Sequence, residues 1–119
     1  MEEDQRLYKE FLNGNDSSFN IIVLKYKDSL IKFIQSYVKD EDTAEDLSQD
    51  VFVYVLKNRV EYDFKYSLKT YLFRIAMCRA INYINKRKRE ISIEEIDLEN
   101  IEDVDENSKI ENTLINKEN

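Results

Sequence analysis

The sequence predicts an all-α fold, a compact bundle of about four helices with a long basic C-terminal helix and an acidic tail. Two observations carry the fold class. Glycine occurs once, at Gly14, and proline is absent, so the chain nearly lacks the residues that interrupt helices. Apolar residues also recur at steps of three and four in successive segments, the period of a helix with one buried face. A third observation, the distribution of charge, separates the last helix from the rest. Residues 65–90 hold eight Lys/Arg and one acidic residue, net +7, whereas residues 1–64 are −6 and residues 91–119 are −8.

A first helix is expected over Asp4 to Leu12, with Leu7, Tyr8, Phe11 and Leu12 on one side. Gly14 suits the left-handed position that follows a helix end. Asp16 or Ser17 is expected to cap a second helix reaching about Lys39. Its inward stripe is Phe19, Ile22, Val23, Tyr26, Leu30, Phe33, Ile34 and Tyr37. After an acidic turn, Asp42 or Thr43 caps a third helix ending near Asn58 or Val60. Thr43 and Asp46 have capping-box spacing, and Ala44, Leu47, Val51 and Val55 face inward. Residues 61–67 read as a loop, because a lone strand would have no partner. Ser67 caps a fourth helix over roughly Leu68 to Arg89, buried through Leu68, Leu72, Ile75, Ala76, Ala80 and Ile84. From Ile91 the composition turns acidic, and Ser92 with Glu95 could start a further short helix. The far end is expected to be a tail or linker.

Composition excludes several function classes. With no histidine there is no His base, no Ser-His or Cys-His pair and no His metal ligand. One glycine cannot build a phosphate-cradling loop. Asp40, Glu41, Asp42, Glu45 and Asp46 cluster, but without the Gly-containing spacing of a calcium loop. No enzyme activity, cofactor or metal is expected. A lone Cys78 forms no internal disulfide, the start Met-Glu-Glu-Asp is not a signal peptide, and no apolar run approaches the ~20 residues of a membrane span. A cytoplasmic protein is expected.

The basic segment is interleaved with Tyr62, Phe64, Tyr66, Tyr71, Phe73 and Tyr83. Cations suit phosphates, and flat rings suit unstacked bases. A solvated basic helix with core aromatics accounts for the same pattern. On the third helix, Asp46, Gln49, Asp50 and Val53 share one face through their i, i+3, i+4, i+7 spacing. A plain solvated face explains that spacing too. What decides is the longer string Ala44-Glu45-Asp46-Leu47-Ser48-Gln49-Asp50-Val51-Phe52. It is followed by Tyr71-Leu72-Phe73-Arg74-Ile75-Ala76, then Asn82-Tyr83 and the basic run.

These motifs, in this order, resemble region 2 of the bacterial sigma-70 family, in its extracytoplasmic-function (ECF) group. The resemblance covers about Asp4 to Glu90. It implies a region 2 helical domain over residues 1–90, with 91–119 an acidic linker or tail toward a second, −35-reading domain that this sequence lacks. It implies that Asp46, Gln49 and Asp50, with Phe52, Val53 and Leu56, dock on the clamp helices of the largest subunit of core RNA polymerase. Carboxylates and an amide on a rigid helix can pair with arginines of a partner. The loop and fourth helix would then open promoter DNA and hold the non-template strand of the −10 element. Tyr62, Phe64 and Tyr66 would offer stacking surfaces. Lys65, Lys69, Arg74, Arg79, Asn82, Tyr83, Lys86 and Arg87 would contact phosphates or bases, although Tyr83 is equally suited to the core. An anti-sigma factor is an implied partner.

Two residues depart from the family pattern. Cys78 stands where Asn is common, replacing an amide by a poor hydrogen-bonding thiol, and Tyr71 stands where Trp is common. The rival readings are a regulatory module that binds polymerase or an anti-sigma factor without melting DNA, and a duplex-binding repressor.

Overall fold

The computed structural model describes residues 2–95. Four helices follow one another: α1 (Glu3–Leu12), α2 (Asp16–Val38), α3 (Glu41–Lys57) and α4 (Leu68–Glu95). The all-α architecture expected from the sequence is the one observed, and residues 61–67 are a loop.

α1 ends as its glycine dictates. Gly14 takes φ +104°; its amide donates to the Phe11 carbonyl and that of Asn15 to the Glu10 carbonyl, both at 3.0 Å. This paired closure needs a left-handed residue after the helix end. Asn15 then caps α2, accepting from the Ser18 amide at 3.3 Å. The cap is thus Asn15 rather than Asp16 or Ser17, because the chain is already extended one residue earlier. α2 closes at Lys39 in the left-handed region, φ 65°, without a glycine.

α3 begins at Glu41, earlier than the Asp42 or Thr43 cap expected. Asp40 accepts from both the amide (2.9 Å) and the hydroxyl (2.5 Å) of Thr43, so Thr43 serves the cap instead of being it. The two bonds hold the Asp40 carboxyl below its usual value, the hydroxyl contributing most. Ser67 caps α4 as expected, its hydroxyl accepting from the Thr70 amide at 3.1 Å. α4 does not stop at Arg89, nor does a new helix start at Ser92. It runs through Glu95, since nothing between 86 and 95 breaks a helix. The acidic segment 96–119 lies outside the described residues.

α2 is the central helix and packs against α1, α3 and α4. Its buried stripe is Ser18, Phe19, Ile22, Tyr26, Leu30 and Ile34, while Val23 and Phe33 are half-buried and Tyr37 is exposed. From α3, Ala44, Ser48, Val51, Phe52 and Val55 face it; Leu47 is only half-buried. From α4 come Leu68, Tyr71, Leu72, Ile75, Ala76 and Ala80; Ile84 is half-buried. α1 is tied on by charge as well as by packing. Asp4 is buried, accepts a short hydrogen bond from the Tyr26 hydroxyl, and pairs with Lys25 at 2.6 Å. Burial and that bond push the Tyr26 hydroxyl well above the usual tyrosine range, so it stays a donor. The hydrogen bond to Asp4 raises Lys25 above its ordinary value and keeps it charged.

Candidate functional site

Three surfaces meet around the α3–α4 connection. The first is the outer face of α3. Asp46, Gln49 and Asp50 are exposed, and the face continues into Val53 (44% exposed) and Leu56 (39%). Beyond the helix end, Val60 is also exposed. Carboxylates and an amide are therefore followed along one helix by apolar side chains that stay partly open to solvent. Phe52 does not belong to this face. It is 7% exposed, and its ring meets Phe19 edge-on at 6.3 Å between centroids. The expected docking role of Phe52 is corrected to core packing.

The second surface is the loop. Its first aromatic, Tyr62, is 2% exposed and wedged among Tyr8, Phe64 and Tyr71, with centroid distances of 5.1, 4.6 and 4.9 Å. A ring enclosed this way offers no face to a base, so the stacking expected of Tyr62 is corrected to a structural role. Its hydroxyl donates to the Tyr66 carbonyl at 2.5 Å and closes the loop on itself. Burial pushes that hydroxyl above the normal tyrosine range. Phe64 and Tyr66 are half-buried. Phe64 sits at φ 66°, a conformation that a bulky side chain seldom adopts. The Lys65 amide donates to the Asp63 carboxylate at 3.0 Å, making a tight turn at the loop's tip.

Cations lie over several of the local rings. Lys9 lies 5.6 Å from the Phe64 centroid, Arg74 4.5 Å from Tyr66, and Lys69 5.9 Å from Phe73. Lys9 was not legible as part of this site. The signal available was the i, i+3, i+4 spacing of Gln5, Tyr8 and Lys9 on α1, which places them on one side of the helix but does not name the loop they meet.

The third surface is α4. Lys69, Arg74, Asn82, Lys86 and Arg87 are exposed, and so is Lys65 in the loop. Arg79 is half-buried, with its guanidinium 5.6 Å from the Tyr54 ring, and Tyr54 in turn donates to Glu61. Arg79 is therefore partly engaged within the fold. Tyr83 is half-buried and Cys78 partly covered. Among the described residues, no three or more His, Cys, Asp or Glu are grouped to hold a metal ion. No helix there is long and apolar enough to cross a membrane.

An acidic-to-apolar helix face, a ring-lined loop and a basic helix thus follow one another without interruption. The family model Sigma-70 region 2 matches residues 22–90, which span all three. The chain belongs to the sigma-70 region 2 family. Its curated relatives place it with the ECF group. It is 30% identical over 88 residues to the RNA polymerase sigma-H factor of Pseudomonas aeruginosa, covering 74% of this chain and 46% of that protein. It is 26% identical over 121 residues to the ECF RNA polymerase sigma-E factor of Escherichia coli, covering 97% and 63%. With the ECF RNA polymerase sigma factor SigM of Bacillus subtilis it shares 34% over 68 residues, covering 57% and 41%. The chain therefore spans roughly half the length of these relatives. A solved structure is also similar: an engineered region 2 of sigmaE in complex with GTAAAA. The TM-score is 0.66 at 28% identity, over 76% of this chain and 97% of that one. The region 2 match begins at Ile22, so α1, which covers the loop, lies before it.

Proposed function

We propose that this region 2 domain acts in an alternative sigma factor, binding core RNA polymerase and recognising and melting the −10 promoter element. The α3 face of Asp46, Gln49, Asp50, Val53 and Leu56 is the polymerase contact, its charges suited to arginines of the clamp helices and its apolar end to their aliphatic neighbours. Phe64 and Tyr66 border the captured bases. Lys65, Lys69, Asn82, Lys86 and Arg87 run along the non-template strand, with Arg74, Arg79 and Tyr83 lining the same side. Residues 1–90 are the working domain, and 91–119, which begin within α4, are an acidic linker or tail. An anti-sigma factor is the expected regulator. The reading rests most on the likeness to a region 2 whose complex contains GTAAAA.

Polymerase performs the chemistry, and this domain supplies recognition. Docking through α3 fixes the loop and α4 beside the opening duplex. An unstacked base costs a few kcal/mol to extrude and needs a shaped, partly apolar receptor. The test measures the 119-residue chain, alone and with core polymerase, against single-stranded −10 oligonucleotides and against duplex. Weak duplex binding with a clear single-strand preference supports the reading; tight duplex binding alone refutes it. Replacing residues 62–67 by those of another ECF factor should change the preferred base and leave polymerase affinity intact.

One observation favours the rival, a polymerase- or anti-sigma-binding module that melts nothing. Tyr62 is enclosed and its neighbours are half-covered, which leaves little aromatic surface for bases. That module would bind polymerase normally and show no single-strand preference.

A further inference from the structure

We propose that Gln5 is a positioning residue for base discrimination, holding the 62–66 loop from a helix that precedes the region 2 match. This deepens the reading given under Proposed function and rests on it. The Gln5 amide nitrogen lies 3.0 Å from the Tyr62 hydroxyl and 3.4 Å from each of the Phe64 and Tyr66 carbonyls. Three acceptors of one loop converge on a single donor group, 57 to 61 residues away in sequence. Phe64, which carries the first of the two carbonyls, is in the left-handed region. Such a conformation persists in a bulky residue only when its surroundings fix it.

The rest of α1 adds to the grip. The Tyr8 ring stands edge-on to both Tyr62 and Phe64, and its hydroxyl donates to the Arg59 carbonyl at 2.6 Å, just before the loop. The chemistry asks for a neutral donor at position 5. An amide offers two N–H groups and meets carbonyl oxygens favourably; a carboxylate of equal size would repel them. Gln5 touches no base in this account. It sets the backbone of the residues that do.

The test compares the full chain with Gln5→Met, which keeps length and removes the donors, and Gln5→Glu, which keeps shape and reverses the polarity. Single-stranded hexanucleotides varied one base at a time are the probes, and hydrogen exchange at the Lys65 amide reports the loop directly. Both variants should accelerate that exchange about two- to tenfold, the factor for losing one net hydrogen bond. The affinity ratio between best and worst hexanucleotide should narrow by a similar factor, while core polymerase affinity stays at the wild-type value. A loss of affinity equal for every hexanucleotide, with the ratio intact, overturns the proposal. So does unchanged exchange in both variants. A wild-type chain that binds all hexanucleotides alike overturns the reading of the loop itself, even where exchange at Lys65 responds to Gln5.

Discussion

Replacing Tyr62 separates a core ring from a base-stacking one. The side chain is 2% exposed and has aromatic neighbours at 4.6 to 6.2 Å between centroids. Tyr62→Ala removes a whole ring from this cluster, a change that typically costs about 3–5 kcal/mol. Tyr62→Phe keeps the ring and removes only the hydroxyl that accepts from Gln5 and donates to Tyr66. That leaves the part-buried Tyr66 carbonyl with Gln5 as its remaining donor, 3.4 Å away, for a loss of about 0.5–1.5 kcal/mol. A domain of this size has only about 5–15 kcal/mol of total stability. Urea unfolding followed by circular dichroism reads both. With a slope of about 1–3 kcal/mol/M, the alanine variant should lose roughly 1–2 M or more of midpoint and the phenylalanine variant visibly less. An alanine variant with the wild-type midpoint and sharply reduced oligonucleotide binding would refute the assignment of Tyr62 to the core.

Three further outcomes follow from the same surfaces. Asp46→Ala combined with Gln49→Ala should weaken core polymerase binding by about 2–5 kcal/mol, as for desolvated charged contacts. Its melting temperature should stay near wild type, and unchanged affinity removes α3 as the docking face. Single-stranded DNA binding should fall steeply with salt, by about 0.7 log units per neutralised phosphate and log unit of salt. Reversing the charge of Lys65, Lys69 and Arg74 should flatten that slope, and a salt-independent wild type rules out the basic surface. The Asp40 carboxyl is held below its usual 3.8 by Thr43, so its contribution to stability is present above that value and is lost as pH falls through the lower folded value. Acid titration of stability between about pH 5 and 2 should therefore be shallower in Asp40→Asn, and identical curves would remove the cap as its cause.

The helices and the exposed outer face of α3 were legible because both are local patterns. A stripe at three- and four-residue steps announces which side of α2 is buried, and on α3 Asp46, Gln49 and Asp50 emerge opposite that helix's own inward stripe. Helix starts were less legible. Asn15, Asp16 and Ser17 are all competent caps, as are Asp40, Asp42 and Thr43, and the first extended residue decides between them. Phe52 was misplaced because it flanks the inward stripe, yet its ring reaches Phe19 while Ser48 takes a buried position. Tyr62 was misplaced for a different reason. Its burial depends on α1, more than fifty residues earlier, and an alternation of aromatics in a loop carries no trace of that partner. The change of composition at Ile91 was read as the end of the fourth helix, with a new short helix open from Ser92, but a shift from basic to acidic residues does not break a helix that lacks glycine and proline.

That unbroken α4 has a geometric consequence. Twenty-eight residues at 1.5 Å each make a rod of about 42 Å. It starts beside the loop at Leu68, so its last residue, Glu95, lies a full rod length along the axis from the loop. Each residue added to or removed from its last turns would rotate the helix end by about 100° and advance or withdraw it by about 1.5 Å. The rod therefore acts as a phase-setter: the number of residues between Leu68 and Glu95 fixes the compass bearing at which the helix ends.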